Sequence, residues 1–578
     1  MTGHSAAEVS WQAIAKCKQA YRDSQIPQQW SIPSNMLPKD PPLMKYGLQN
    51  VLHVPRECGL LSPTEVTITE THSVEDLLSA LATGKLSALE VTTAFCKRTA
   101  IAQQLTNCVT EPLFLSAIQR AKELDESLAR EGRVVGPLHG LPISLKDSFD
   151  VIGVDSSIGI ASLCFKPATI NSPLIDLLLS LGCVIIAKTN VPQTLNSLDS
   201  VNNVFGRTMN PINRLCTAGG SSGGEGVIVA MRGSIVGWGA DTGGSIRVPA
   251  MCNGIFGIKS SNGRIPAGGG PLISNDGTSR CAVPAVVGPL ARSIEDIDFV
   301  MREVVPRAWM WAEDCFPSTW SLDTPLTGSG PNGEFVFGIL RGDGNCTPLP
   351  PMMKLLDEVK TKLNQYPNTK AIELAAPQAW TKCQSVMAKL MSADGGGVLA
   401  GLLDATGEPL VPWMVGKFKR SEPKTLPQVA ELQARRTKLE REMMQLWVEE
   451  DGKGGKKSKV DAVICLIAPH PVPEIERYNA AGYTSSWTLL DYPAGSVPVR
   501  DFSAEDLELG QPQGGTTISS WDERNRQLWD EKTVNRRVYV GTPLSVQVVT
   551  PRLQDKRLIE AMRIVNAAVH REGSRSKL

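Results

Sequence analysis

Apolar positions in the first quarter of the chain recur with a helical period. Val74, Leu77, Leu78 and Leu81 stand at i, i+3, i+4 and i+7 behind Ser73-Val74-Glu75-Asp76, a capping-box start, and Gly84 closes that helix. Ser87 and Glu90 form a second capping box, with Leu86 and Val91 placed as a hydrophobic staple. Leu115, Ile118, Ala121, Leu124 and Leu128 predict a further helix closed near Gly132. The period then shortens. Residues 141–146 alternate like a strand, 174–181 read as a helix stopped by Gly182, and 184–187 as a buried strand. Residues 228–231 and 236–238 are short apolar segments between glycine turns. Downstream, 335–340 predict a strand and 353–363 a helix. Residues 429–448 predict a long charged helix with Leu432, Leu439, Met443 and Leu446 inward. A flexible basic loop is expected at 452–459, a central strand at 462–467, a strand at 541–549 and a last helix at 555–569.

Strands alternating with helices predict an α/β layered fold. The first 70 residues are proline-rich and predict one helix near 11–22, then an extended arm on the surface. Residues 71–570 form the main body and 571–578 an exposed tail. The Gly-, Pro-, Ser- and Thr-rich stretch at 318–333 reads as a linker or a surface loop.

Composition narrows the class. The chain has 578 residues, 42% apolar and 20% charged, with zero formal net charge. Such values support a large core without staples. They disfavour a nucleic-acid or membrane-surface partner, which calls for a basic excess. The 13 cysteines are scattered without a C-x-x-C pair, which predicts reduced thiols. The six histidines lack metal-ligand spacing, so no metal and no cofactor is expected. No secretory signal or membrane span is predicted. The chain ends in Ser576-Lys577-Leu578, which reads as a peroxisomal address with the import receptor as partner; otherwise a cytoplasmic protein is expected. A homodimer is left open.

The chemistry concentrates in residues 214–259. Two glycine-flanked serine clusters lie there, Gly219-Gly220-Ser221-Ser222-Gly223-Gly224 and Thr242-Gly243-Gly244-Ser245. Successive Gly-Gly-Ser amides form a nest of the kind an oxyanion hole needs. That makes Ser245 a candidate nucleophile. Gly220-Ser221-Ser222-Gly223-Gly224 also matches the G-x-S-x-G elbow of α/β-hydrolases, which would put Ser222 in that role with His470 or His570 as base. A phosphate loop is excluded, because Glu225-Gly226 stands where Lys-Ser/Thr is required. A base other than histidine is available at Lys146, at the end of an apolar strand. For Lys146 to be half neutral at pH 7 its pKa must fall by about 3.4 pH units, roughly 4.6 kcal/mol, within reach of burial. Taken alone, Lys146 reads more readily as a surface charge.

Together, Leu138-His-Gly-Leu-Pro-Ile-Ser-Leu-Lys146-Asp147, Gly219-Gly-Ser-Ser-Gly-Gly-Glu-Gly226 and Gly239-Ala-Asp-Thr-Gly-Gly-Ser-Ile-Arg-Val-Pro249 resemble the amidase signature family, and most of all its fungal acetamidases. The resemblance extends over about residues 55–570. It implies a single α/β/α domain around a large mixed sheet. It also implies hydrolysis of a small or medium monocarboxylic amide through an acyl-Ser245 intermediate, with Ser221 as a bridge to a neutral Lys146. On the same likeness, the amides of Thr242, Gly243, Gly244 and Ser245 form the oxyanion hole. Ser222 and Asp241 hydrogen-bond the lysine and loops, Arg247 holds the turn beneath the nucleophile, and Leu195 touches substrate. Thr242 departs from the family's usual hydrophobic residue, and the region 500–539 reads as a surface insertion. An ammonia-producing glutamine amidotransferase subunit and a serine esterase are the competing readings.

Overall fold

The computed structural model describes residues 10–38, 50–271, 283–322, 328–512 and 516–570. The C-terminal tripeptide lies outside them. Eleven strands make the main sheet: β1 (Val109–Pro112), β2 (Pro142–Lys146), β3 (Val184–Thr189), β4 (Val236–Asp241), β5 (Phe256–Lys259), β6 (Val286–Ala291), β7 (Phe335–Ile339), β8 (Thr369–Glu373), β9 (Ala462–Leu466), β10 (Ala494–Asp501) and β11 (Pro543–Val549). Their spatial order is β1-β3-β2-β4-β6-β5-β10-β11-β9-β7-β8. Strands β3, β2 and β4 run parallel, as do β9, β7 and β8; the remaining pairs are antiparallel.

Alternation along β3 explains the layering. Val184 and Ile186 enter one apolar cluster, with helices Ala88–Thr106 and Phe114–Glu131, while Ile185 enters the other. Successive side chains on a strand point to opposite faces, so the sheet is covered on both sides. The second face carries Pro173–Ser180, Ile294–Ala308, Pro350–Gln365 and Asp555–Val569. The result is a single α/β/α domain with a mixed sheet at its centre. Both expected capping boxes are present, at Ser73/Asp76 and Ser87/Glu90, with each N3 carboxylate reaching back to the cap's N–H.

Four expectations need correction. The apolar run at 228–231 belongs to a helix, Gly223–Ala230, which starts in the first serine cluster. Its glycines hid it from propensity, because tertiary packing at full burial outweighs their helix cost. The arm before residue 70 contains a helix, Pro63–Thr71, with its own capping box at Ser62/Glu65. Trp30 and Ile32 of that arm are buried in the core beside Phe114. The basic loop at 452–459 closes a small hairpin, Val448–Glu450 with Lys456–Ser458, and the long charged helix stops earlier, at Met443. The region 500–539 is no surface insertion: Phe502, Trp529 and Tyr539 pack ring against ring in the core, and the Tyr539 hydroxyl donates to the Leu528 carbonyl.

Candidate active site

Strands β2 and β4 run parallel with Ser144 opposite Gly237 and Leu145 opposite Trp238. Their carboxyl ends therefore lie together, and Lys146 ends one while Asp241 ends the other. That is where open parallel arrangements gather functional groups. Lys146 is buried, and its Nζ donates to Ser221 Oγ at 2.8 Å and to the Ala240 carbonyl at 3.0 Å. Burial pushes the Lys146 ammonium down to about 7, against the pull of the Asp241 and Glu225 carboxylates. A lysine in this state is a workable proton acceptor near neutrality.

The two serine clusters are tied to each other. The Ser222 N–H donates to the Ser245 carbonyl at 3.0 Å. Gly220 allows the close approach from behind: a Cβ there would stand 2.7 Å from the Ser197 carbonyl oxygen. The Gly220–Ser221 peptide is cis. Ser245 follows Gly244, whose φ of +130° is open to glycine alone, and a Cβ at Gly244 would meet Thr484 Oγ1 at 2.5 Å. Thr484 Oγ1 donates to the Gly243 carbonyl at 2.6 Å, fixing the loop from the other side. Ser245 is 8% exposed, and its Oγ has no hydrogen-bond partner among the described residues.

Asp241 and Arg247 form the floor. Arg247 Nε and Nη2 donate to the two Asp241 oxygens at 3.0 and 2.9 Å. Arg247 also donates to the Thr484 carbonyl, Thr488 Oγ1 and Gln547 Oε1, so it holds the turn against helix Gly482–Leu489 and strand β11. Burial alone would raise the Asp241 carboxyl, but Arg247 and the Ile246 and Gly244 amides carry it down to about 2.

The geometry departs from expectation at three of the supporting residues. The Gly244 amide is engaged by Asp241 Oδ1 at 2.7 Å, which leaves Thr242, Gly243 and Ser245 as the amides without a partner among the described residues. Asp241 makes no hydrogen bond to Lys146 and acts on it through charge, because its oxygens are taken by Arg247 and two amides. Ser222 Oγ is buried without a hydrogen-bond partner among the described residues, and its backbone does the tying. The histidines that an elbow serine would require are occupied elsewhere. Both ring nitrogens of His470 lie against the Pro471 and Asn479 backbone, and His570 Nδ1 sits on the Asn566 carbonyl. Leu195 has a left-handed backbone, φ +62°, and packs on an aliphatic cluster of Ile158, Ile160 and Leu403. Thr484, Thr488 and Gln547 were not foreseen as parts of the site. They lie within the span of family likeness, about residues 55–570, but 237 to 300 residues along the chain from Arg247.

With this geometry in view, the comparisons with known proteins are direct. The Amidase family profile matches residues 90–559. The acetamidase of Emericella nidulans is 34% identical over 554 residues, covering 95% of this chain and 96% of the relative. The acetamidase of Aspergillus oryzae is 34% identical over 560 residues, covering 95% and 97%. Among solved structures, a fatty acid amide hydrolase superposes with a TM-score of 0.83 at 29% identity, covering 96% of this chain and 95% of that one. The fold and the serine-glycine core define an amidase signature hydrolase. The chain belongs to the amidase family.

No group of histidine, cysteine or carboxylate side chains among the described residues could hold a metal ion, and no described helix is long and apolar enough to cross a membrane.

Proposed function

We propose that the protein hydrolyses a small or medium monocarboxylic amide, releasing the carboxylate and ammonia or an amine, through an acyl-Ser245 intermediate. The observation that carries this reading is the 2.8 Å hydrogen bond from a buried Lys146 to Ser221, at the mouth of the loop that bears Ser245. Neutral Lys146 accepts the Ser221 proton as Ser221 accepts that of Ser245, and the Ser245 oxygen attacks the amide carbon. The carbonyl oxygen becomes an anion facing the free amides of Thr242, Gly243 and Ser245. Each such donor contributes about 2.7–4 kcal/mol where it is aimed at the developing charge. The proton then returns along Lys146 and Ser221 to the leaving nitrogen, and water cleaves the acyl ester by the same route in reverse. Asp241 and Arg247 hold the amides in place.

The aliphatic surroundings of Leu195 support an unbranched or lightly branched acyl group. The names of the fungal relatives, acetamidases, point to the short end of that range. The Ser576-Lys577-Leu578 terminus supports a peroxisomal location, reached through the import receptor.

The test is a reactive fluorophosphonate followed by peptide mass spectrometry, alongside a hydrolysis screen over short aliphatic, aryl and long-chain amides. An adduct on Ser245, lost together with hydrolysis in Ser245→Ala, is the expected result. An adduct on Ser222, or hydrolysis that survives Ser245→Ala, sinks the reading.

A further inference from the structure

Glu225 is a buried carboxyl under Lys146 that the reaction above leaves without a task. It sits in the first turn of helix Gly223–Ala230, immediately after the first serine cluster, and is fully buried. Three neighbouring strands make room for it. Ser144 Oγ of β2 donates to Glu225 Oε2 at 2.6 Å, and Thr189 Oγ1 of β3 donates to Oε1 at 2.7 Å. On β4 the space is cleared by a glycine: a Cβ on Gly237 would stand 2.0 Å from Oε2. Ser144 shares a face of β2 with Lys146, Thr189 is the register partner of Lys146, and Gly237 is the register partner of Ser144. All the groups that seat this carboxyl are thus next to the catalytic lysine.

Among the described residues the seat offers hydroxyls and no hydrogen-bonded cation. A carboxylate buried without an opposite charge is costly. Lys146 is the positive group acting on Glu225, with no hydrogen bond between them. Asp241, the other acid acting on Lys146, is already paired with Arg247. The remaining titratable group facing Glu225 is Cys108, whose thiol burial pushes up to about 12 and keeps neutral. The seat also suits either form of the carboxyl. As a carboxylate it accepts from both hydroxyls. As an acid it can donate to Thr189 Oγ1, which then turns its own hydrogen to the Leu145 carbonyl at 3.4 Å.

We propose that Glu225 is a positioning residue for proton transfer: its carboxylate is the counter-charge for the Lys146 ammonium formed as Ser245 attacks. This rests on the reading of Lys146 as the base. Glu225 touches no substrate and acts only through Lys146. Burial pushes the Glu225 carboxyl up while Ser144, Thr189 and Lys146 pull it down, so its ionisation is tied to that of the lysine.

Glu225→Gln tests this, because the amide keeps the shape and can still accept from one hydroxyl while losing the charge. The measurement is kcat/KM against pH for wild type and variant on one amide, with thermal midpoints and fluorophosphonate labelling as controls. Without the carboxylate the ammonium is less favoured, so the acid limb of the profile moves to lower pH by half a unit or more. The plateau rate falls at least tenfold, while Ser245 still labels. Glu225→Asp, a carboxylate set back by one methylene, restores part of the limb position. A uniform loss with the limb unmoved, or a shift that Glu225→Asp does not begin to reverse, assigns Glu225 to packing and overturns the proposal. If Lys146→Ala and Ser245→Ala retain hydrolysis, the fault lies instead with the underlying reading of the site.

Discussion

Holding a lysine neutral inside the protein should weaken the fold, and replacing it should show by how much. The perturbation is Lys146→Met, which keeps the length and apolar bulk of the side chain and removes the nitrogen. Burial brings the Lys146 ammonium from 10.5 down to about 7. At about 1.4 kcal/mol per pH unit, that corresponds to roughly 5 kcal/mol of destabilisation once the folded lysine is protonated. The sign follows from proton counts. Between about 7 and 10.5 the unfolded lysine holds a proton that the folded one has lost, so wild-type stability rises with pH through this window. Below about 7 both states are protonated and the burden is complete. Methionine removes it, but strands Ser221 Oγ and the Ala240 carbonyl, whose lost partners cost about 1 kcal/mol each. The net expectation is an inactive variant that is more stable than wild type by about 3 kcal/mol at pH 6.5, an advantage that fades toward pH 10. Thermal midpoints of the two proteins, measured side by side at pH 6.5, 8 and 9.5, check it. A variant less stable than wild type at pH 6.5, or an advantage that does not shrink with pH, refutes the account of Lys146 as a lysine forced neutral by burial.

Two further outcomes are expected. Asp241→Asn leaves Arg247 buried without its counter-charge and should cost about 3–5 kcal/mol, read as a lowered thermal midpoint at pH 7. Because Asp241 is carried from 3.8 to about 2 in the fold, its stabilisation is present above pH 3.8 and is lost as pH falls toward 2; the wild-type–variant gap should close over that window. Fluorescent fusions with and without the final Ser576-Lys577-Leu578 should differ in location, the intact tail collecting in peroxisomes; identical diffuse signals would reject the address.

The sequence showed the site's chemistry more clearly than its architecture. Lys146, Ser221 and Ser245 stood out as candidates by their setting, a lysine at a strand end and serines between glycines; the structure puts Lys146 against Ser221 and ties the two serine clusters together. Helix ends were legible where a capping side chain or a left-handed glycine closes them, as at Ser73, Ser87 and Gly132. Helix Gly223–Ala230 was not, since its glycines are there for contact and not for propensity. One of them, Gly224, could not carry a Cβ without meeting the Asn190 N–H at 2.4 Å. Nor could spacing reveal that Gln547 and Thr488 hold Arg247, because those contacts arise only when the strand order is known. The Gly244 amide was misassigned for the same reason: its acceptor, Asp241, is three residues away but is aimed by Arg247.

The order of the sheet bears on how the enzyme comes into being. β10 and β11, among the last elements made, lie in the middle of the sheet, between β5 and the β9-β7-β8 trio. Until they arrive, a ribosome-bound chain that already carries Lys146, Ser221 and Ser245 leaves β5 and β9 without the neighbours that β10 and β11 supply in the finished sheet. Arg247 meanwhile lacks Gln547, one of the acceptors that hold it beneath the Ser245 loop. If the proposed reading of the site holds, a nascent chain halted before residue 547 should carry Lys146, Ser221 and Ser245 and show no activity.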